Sequence, residues 1–240
     1  MVIVQSCNNG RKLYDAKTPS FHAVSACIRL GHKYQMTAAY EQSLEFLKRH
    51  YTSDFKVWDS GNDWAPKGWD VAQVIGVVNL ARFIEEPLIL PTALMACTQL
   101  EGRIFDGYMR EDGTTEHLSR QDLALCVRAK TNIQKANAAV VLRTLSSPLS
   151  SRCTSPAMCR AQVQAAFHRL HLHADDLVAG SPFLSYLTCV KNENLGVCSV
   201  CAKSLDKTNW TERQDMWNRL PEILKIEVPG WVPPAEPTAA

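Results

Sequence analysis

Four cysteines fall in two pairs in the last third of the 240-residue sequence, Cys153 with Cys159 and Cys198 with Cys201. Thiolates are soft ligands. A Cys-x2-Cys knuckle sets two of them on one side of an ion while its loop turns away, so two such arms can close a tetrahedral zinc site. The first arm is the wider one, Cys-x5-Cys, and the arms lie about forty residues apart, a longer reach than compact zinc modules use. Buried or reduced thiols are the alternative, because free cysteine packs in cores as a small apolar side chain. That account covers Cys7, Cys27, Cys97, Cys126 and Cys189 without further assumption.

Catalytic chemistry finds less support. Cys198-x2-Cys201 matches half of a zinc-deaminase signature, whose other half is His-x-Glu, with a Pro before the first cysteine. Here His173-Ala-Asp175 offers Asp for the proton-shuttling Glu, and Val197 stands where Pro is required. His168, His171 and His173 have the chemistry to ligate a metal, but near a helix end such residues ordinarily sit exposed or cap carbonyls. No Gly-rich phosphate loop and no Gly-x-Ser-x-Gly elbow occurs. No motif surrounds a Cys–His nucleophile. Glu85-Glu86 and Asp175-Asp176 fall at expected helix ends, where solvated charge is the ordinary role. No catalytic residue is expected, and a zinc-dependent enzyme is the rival reading.

Composition narrows the classes further. Hydrophobic residues make up 46%, charged residues 21%, and the net charge is +2, which signals neither disorder nor a nucleic-acid partner. Nine cysteines is an odd number, and the start breaks into Ser6, Cys7, Asn8 and Asn9 before any signal-peptide core. A reducing, intracellular compartment is expected, cytoplasmic or nuclear. The most apolar run, Val71 to Leu80, contains Gln73, Gly76 and Asn79 and is too short to span a bilayer, so no membrane partner is expected. At this length a core forms without crosslinks, and a metal would be a local staple.

The elements that must carry these residues read as helices. Ser20 caps a first helix with Phe21, Val24, Cys27 and Ile28 inward and Gly31 as its stop. Tyr40, Leu44, Leu47 and Tyr51 mark a second. After a loop from Thr52 to Gly68, Asp70 caps a helix through Glu85 that turns Val71, Val74, Ile75, Val78 and Ile84 inward. Pro87 closes it, and Pro91 suits the first turn of the next. An Asp112-Gly113 turn precedes Ser119-Arg-Gln-Asp122, a capping box with Asp for Glu. Its helix should reach Leu145 and bury Leu123, Val127, Ile133, Val140 and Val141. A breaker cluster, Ser146 to Ser151, delivers the chain to Cys153. Ser155-Pro156 starts a helix to about His173 with Cys159 in its first turn, Pro182 starts a short one through Leu187, and residues 191–196 form a polar loop. Cys201 opens the last long helix, which buries Val200, Leu205, Met216, Trp217 and Leu220. A helix N-terminus favours a thiolate, and this shared position is the physical argument for pairing the two arms. The expectation is an all-α, irregular multi-helix array with a four-cysteine zinc staple in its C-terminal part. Its divisions are 1–52, 53–146, 147–226 and a disordered tail, 227–240.

One ordered set of motifs resembles a known family. Phe21 to Met36, containing Arg29-Leu-Gly-His-Lys-Tyr34, resembles the closing helices of a fungal BTB/POZ domain. The likeness continues through Trp58-Asp59, Val78-Asn-Leu-Ala-Arg82, Ile89-Leu-Pro91, Arg110-Glu-Asp-Gly-Thr114, Leu118-Ser119 and Ser155-Pro156. It then takes in the four cysteines and Trp217 with Leu220-Pro221. The resemblance implies the helical region that follows such a domain, acting as a protein–protein interaction module. A complete BTB/POZ domain needs about a hundred residues before this point. Residues 1–52 therefore read as its remnant, and the self-association and cullin-scaffold docking that belong to its core are weakened as expectations. A degenerate fragment without independent function is the remaining alternative.

Overall fold

The computed structural model describes residues 19–61, 63–178, 183, 185–187 and 195–231. Among the described residues the chain is all-α apart from one short antiparallel hairpin, as expected. Among those residues, too, no helix is long and apolar enough to cross a membrane. The unpatterned start, Cys7, Cys189, the Pro182 helix start, the polar loop up to Asn194 and the tail from Val232 lie outside the described residues. The chain forms two compact units, residues 1–129 with 224–240, and residues 130–223.

The first unit begins with α1 (Phe21–Tyr34), whose cap is the Ser20 hydroxyl accepting the Ala23 N–H. The expected stop at Gly31 is a close approach instead. The helix continues to Tyr34 and closes on Gln35 in the left-handed region, while a Cβ on Gly31 would lie 2.8 Å from the Tyr40 Cβ of α2 (Thr37–His50). The buried row of α2 is Ala39, Ser43 and Leu47, with Tyr40 and Leu44 at its edge, because small residues let two helices lie close. Inside the expected loop sits α3 (Phe55–Asp59), capped by Asp54 and anchored by buried Phe55 and Trp58.

Asp70 and Gln73 form a reciprocal capping box that starts a 3₁₀ turn, Val71–Gln73, leading into α4 (Val74–Phe83). Val74, Ile75 and Val78 are buried, and Val71 and Ile84 half-buried. A second 3₁₀ turn, Pro87–Ile89, precedes α5 (Leu90–Cys97), buried at every residue, and α6 (Arg103–Asp106) follows. The hairpin pairs β1 (Tyr108–Met109) with β2 (Thr115–Glu116) around the expected turn, where Gly113 has φ 79°. Strands of two residues carry no readable period, which is why the sequence suggested only a turn. Glu116 ties the unit together: its carboxylate accepts from Tyr108 Oη at 2.8 Å, Asn79 Nδ2 at 2.8 Å and Arg29 Nη2 at 3.2 Å.

The longest helix, α7 (Arg120–Leu145), has the expected Ser119 cap, whose hydroxyl accepts the Asp122 N–H, but the Asp122 carboxylate accepts from that hydroxyl in place of the backbone N–H a capping box uses. Buried Asp122 also pairs with Arg82 at 2.7 Å. Its inward stripe runs through Leu125, Cys126, Ala129, Ile133, Val140, Val141 and Thr144, so Val127 falls off the stripe and is 54% exposed, against expectation.

The second unit takes α7 from Lys130, then α8 (Pro156–Arg169), α9 (Ala174–Val178) and α10 (Ser199–Asn218). Val141 and Leu145 from α7, Val163 and Ala166 from α8, and Leu205 from α10 share one apolar cluster with Leu170, Tyr186 and Leu195. Buried Asn209 donates through Nδ2 to Thr144 Oγ1 at 3.2 Å, and Tyr186 Oη donates to Asp206 at 3.1 Å, whereas the buried Asn137 amide of α7 has no hydrogen-bond partner among the described residues. Met216, Trp217 and Leu220 are buried as expected, Val200 only half, and Trp217 meets the Phe183 ring edge-on at 5.3 Å. A short α11 (Leu220–Leu224) follows. The two ends of this unit are tied, since Asn132 Nδ2 donates to the Ile223 carbonyl at 3.3 Å.

Candidate metal centre

Each arm of the quartet is shaped by local backbone chemistry. Cys153 closes a turn in which its N–H donates to the Ser150 carbonyl at 2.9 Å. Proline at the first position of α8 suits the helical φ and has no N–H to leave unpaired, so the next turn brings Cys159 round, its N–H on the Ser155 carbonyl at 2.9 Å. In the other arm Cys198 is the extended N-cap of α10, and Cys201 lies in that helix's first turn.

The four sulfurs lie within 4.8 Å of one another. Cys153 Sγ and Cys198 Sγ stand 3.8 Å apart. Metal–sulfur bonds of about 2.3 Å give a tetrahedron with edges of about 3.8 Å, whereas a disulfide would need about 2.05 Å. All four cysteines are free thiols. Cys159 and Cys201 are buried, while Cys153 and Cys198 keep a half-exposed edge.

Donors surround the sulfurs. The Cys198 sulfur accepts from the Cys201 N–H, the Thr154 N–H and the Thr154 hydroxyl, which together pull its pKa down to about 5. Cys159 accepts the Cys198 N–H at 3.2 Å, which lowers its pKa, yet burial and the neighbouring thiols outweigh this and leave it raised. Burial pushes Cys153 and Cys201 up against the N–H groups of Ser155 and Ser150. Without a cation the arrangement therefore holds one readily formed thiolate among three resistant thiols. A positive ion at its centre would reverse that balance for the other three.

The remaining candidates separate from this centre. Cys27, Cys97 and Cys126 are buried elsewhere as packing thiols, with Cys97 raised by burial and by its contact with Cys126. His168 and His171 are exposed and stand outside the sulfur group, as does Asp175. The side chains of His173 and Asp176 lie outside the described residues. Glu85 is exposed, but Glu86 is half-buried and pairs with Lys48 at 2.6 Å. Sequence reasoning missed two residues: Thr154, whose hydroxyl position beside Cys198 depends on the arms meeting, and Glu116, whose donors come from its hairpin partner Tyr108 and from Arg29 and Asn79 on two distant helices. Among known proteins, no family model, no curated protein and no solved structure matches this chain.

Proposed function

We propose that the chain is a non-catalytic protein–protein interaction module, of the kind implied by its resemblance to the region after a fungal BTB/POZ domain, with a structural zinc ion held by Cys153, Cys159, Cys198 and Cys201. The observation that carries the reading is the four-sulfur cluster within 4.8 Å, with an N–H donor to each sulfur. Four thiolates fill a tetrahedron and leave no coordination position for water or substrate, which supports a structural over a catalytic role. All-thiolate tetrahedral ligation suits zinc, which needs no redox partner. The free thiols fit a reducing, intracellular setting. Phe105 and Met109, 60% and 71% exposed and close together in sequence, are apolar surface that a protein partner would cover.

Metal analysis of the purified chain tests the site. One zinc per chain is expected, and the cobalt-substituted protein should show the intense visible bands of tetrahedral tetrathiolate coordination, unmoved by azide or cyanide. A spectrum that responds to those anions would indicate an open position and favour the zinc-enzyme reading; failure to take up metal would refute the site. Affinity capture with and without the segment before Thr52 tests the interaction half, and a cooperatively folded chain that captures no partner would count against it.

A further inference from the structure

The four sulfurs are not equivalent in their access to solvent. Cys159 and Cys201 are 0% and 1% exposed, whereas Cys153 and Cys198 are half-exposed, and these two belong to different arms. They are also only 3.8 Å apart. A cleft of about 520 Å³, walled by Leu149, Pro156, Arg160 and Val163, opens onto Cys153 and gives a small polar oxidant a route to it. From this geometry we infer that the centre is a peroxide-sensitive switch in which Cys153 and Cys198 become joined by a disulfide between the arms as the metal leaves. The switch rests on the zinc reading and is a regulation of the same site.

The chemistry balances with hydrogen peroxide as the oxidant. One exposed thiolate attacks a peroxide oxygen, the O–O bond breaks, and hydroxide leaves as water after taking up a proton; the sulfur is now a sulfenic acid. The second exposed thiolate attacks that sulfur, the S–O bond breaks, and another hydroxide departs as water. Two thiolates lose two electrons, one peroxide becomes two waters, and the ion loses two of its four ligands. Cys159 and Cys201 reprotonate as it dissociates. Closing 3.8 Å to a bond needs a shift of about 1.8 Å, within the reach of side-chain rotation. The new bond spans the same two arms that the ion spanned, so the second unit keeps a crosslink between them.

The full chain, both as purified and after chelation, is titrated with hydrogen peroxide. Released zinc is read with a chromophoric chelator, and disulfides are mapped by non-reducing mass spectrometry. The expected result is one zinc lost per disulfide formed, Cys153–Cys198 as the first bond, and reversal by dithiothreitol with added zinc. A first bond within an arm, Cys198–Cys201 or Cys153–Cys159, overturns the inference, and so does retention of the thiols after every other cysteine has oxidised. Should the chain bind no metal while Cys153–Cys198 still forms first, the zinc reading fails and the sulfur pairing stands. The Cys159→Ser variant offers a check independent of full metal ligation: Cys153–Cys198 should remain its preferred bond.

Discussion

His50, in the last turn of α2, shows what burial does to a single ionisable group. Desolvation holds its imidazole down to about 4, with partial recovery from the Asp63 backbone and charge. The unfolded chain takes up the proton near the ordinary value of about 6.5. Folding therefore loses stability as pH falls from about 6.5 toward 4, by at most about 3 kcal/mol. Urea midpoints measured across that range should fall in the native chain and fall less in His50→Gln; equal slopes would place the proton uptake elsewhere. None of this was legible in the sequence, since the depth of one histidine depends on what packs over it. The sulfur quartet was legible because its two arms announce themselves through helix-start chemistry: a proline at the first position of α8 and a cysteine cap on α10. What the sequence could not show was the ring of donors, because Thr154 and Cys198 are neighbours only after the arms meet.

At the scale of elements, glycine was the residue most easily misread. Gly31 looked like a helix stop and is a point of close helix approach. Gly76 sat inside an apolar run as an apparent interruption, yet its missing side chain is what admits Phe21: a Cβ there would collide with the Phe21 ring and lie 2.7 Å from Tyr108 Oη. Two buried aromatic rings have little freedom to retreat, so Gly76→Ala should cost about 1–3 kcal/mol despite the better helix propensity of alanine. Thermal unfolding would measure it. An unchanged or raised Tm would mean that the rings can shift at no cost. Helices long enough to show a period were readable, including the full length of α7. Their inward faces were less so: Val127 is apolar but exposed, because a stripe is fixed by the neighbours it meets and not by hydropathy alone.

For the whole molecule, the two compact units make different demands on the quartet. Residues 130–223 contain all four cysteines, and if the proposed ion is bound, one missing thiolate would leave it under-ligated. Cys201→Ser should therefore lower, without abolishing, hydrogen-exchange protection from Lys130 to Ile223 while residues before Ala129 keep theirs in full. Loss across the whole chain would show that both units unfold as one. The connectivity has a further consequence. The chain leaves the first unit within α7 and re-enters it at Leu224, and the Asn132 bond to the Ile223 carbonyl holds exit and re-entry side by side. The second unit is thus an insertion with adjacent ends, so no single cut can divide the two units. A circular permutant joining Lys130 to Ile223 through a few linker residues would give the four-cysteine unit as a closed chain, with new termini opened at a surface loop.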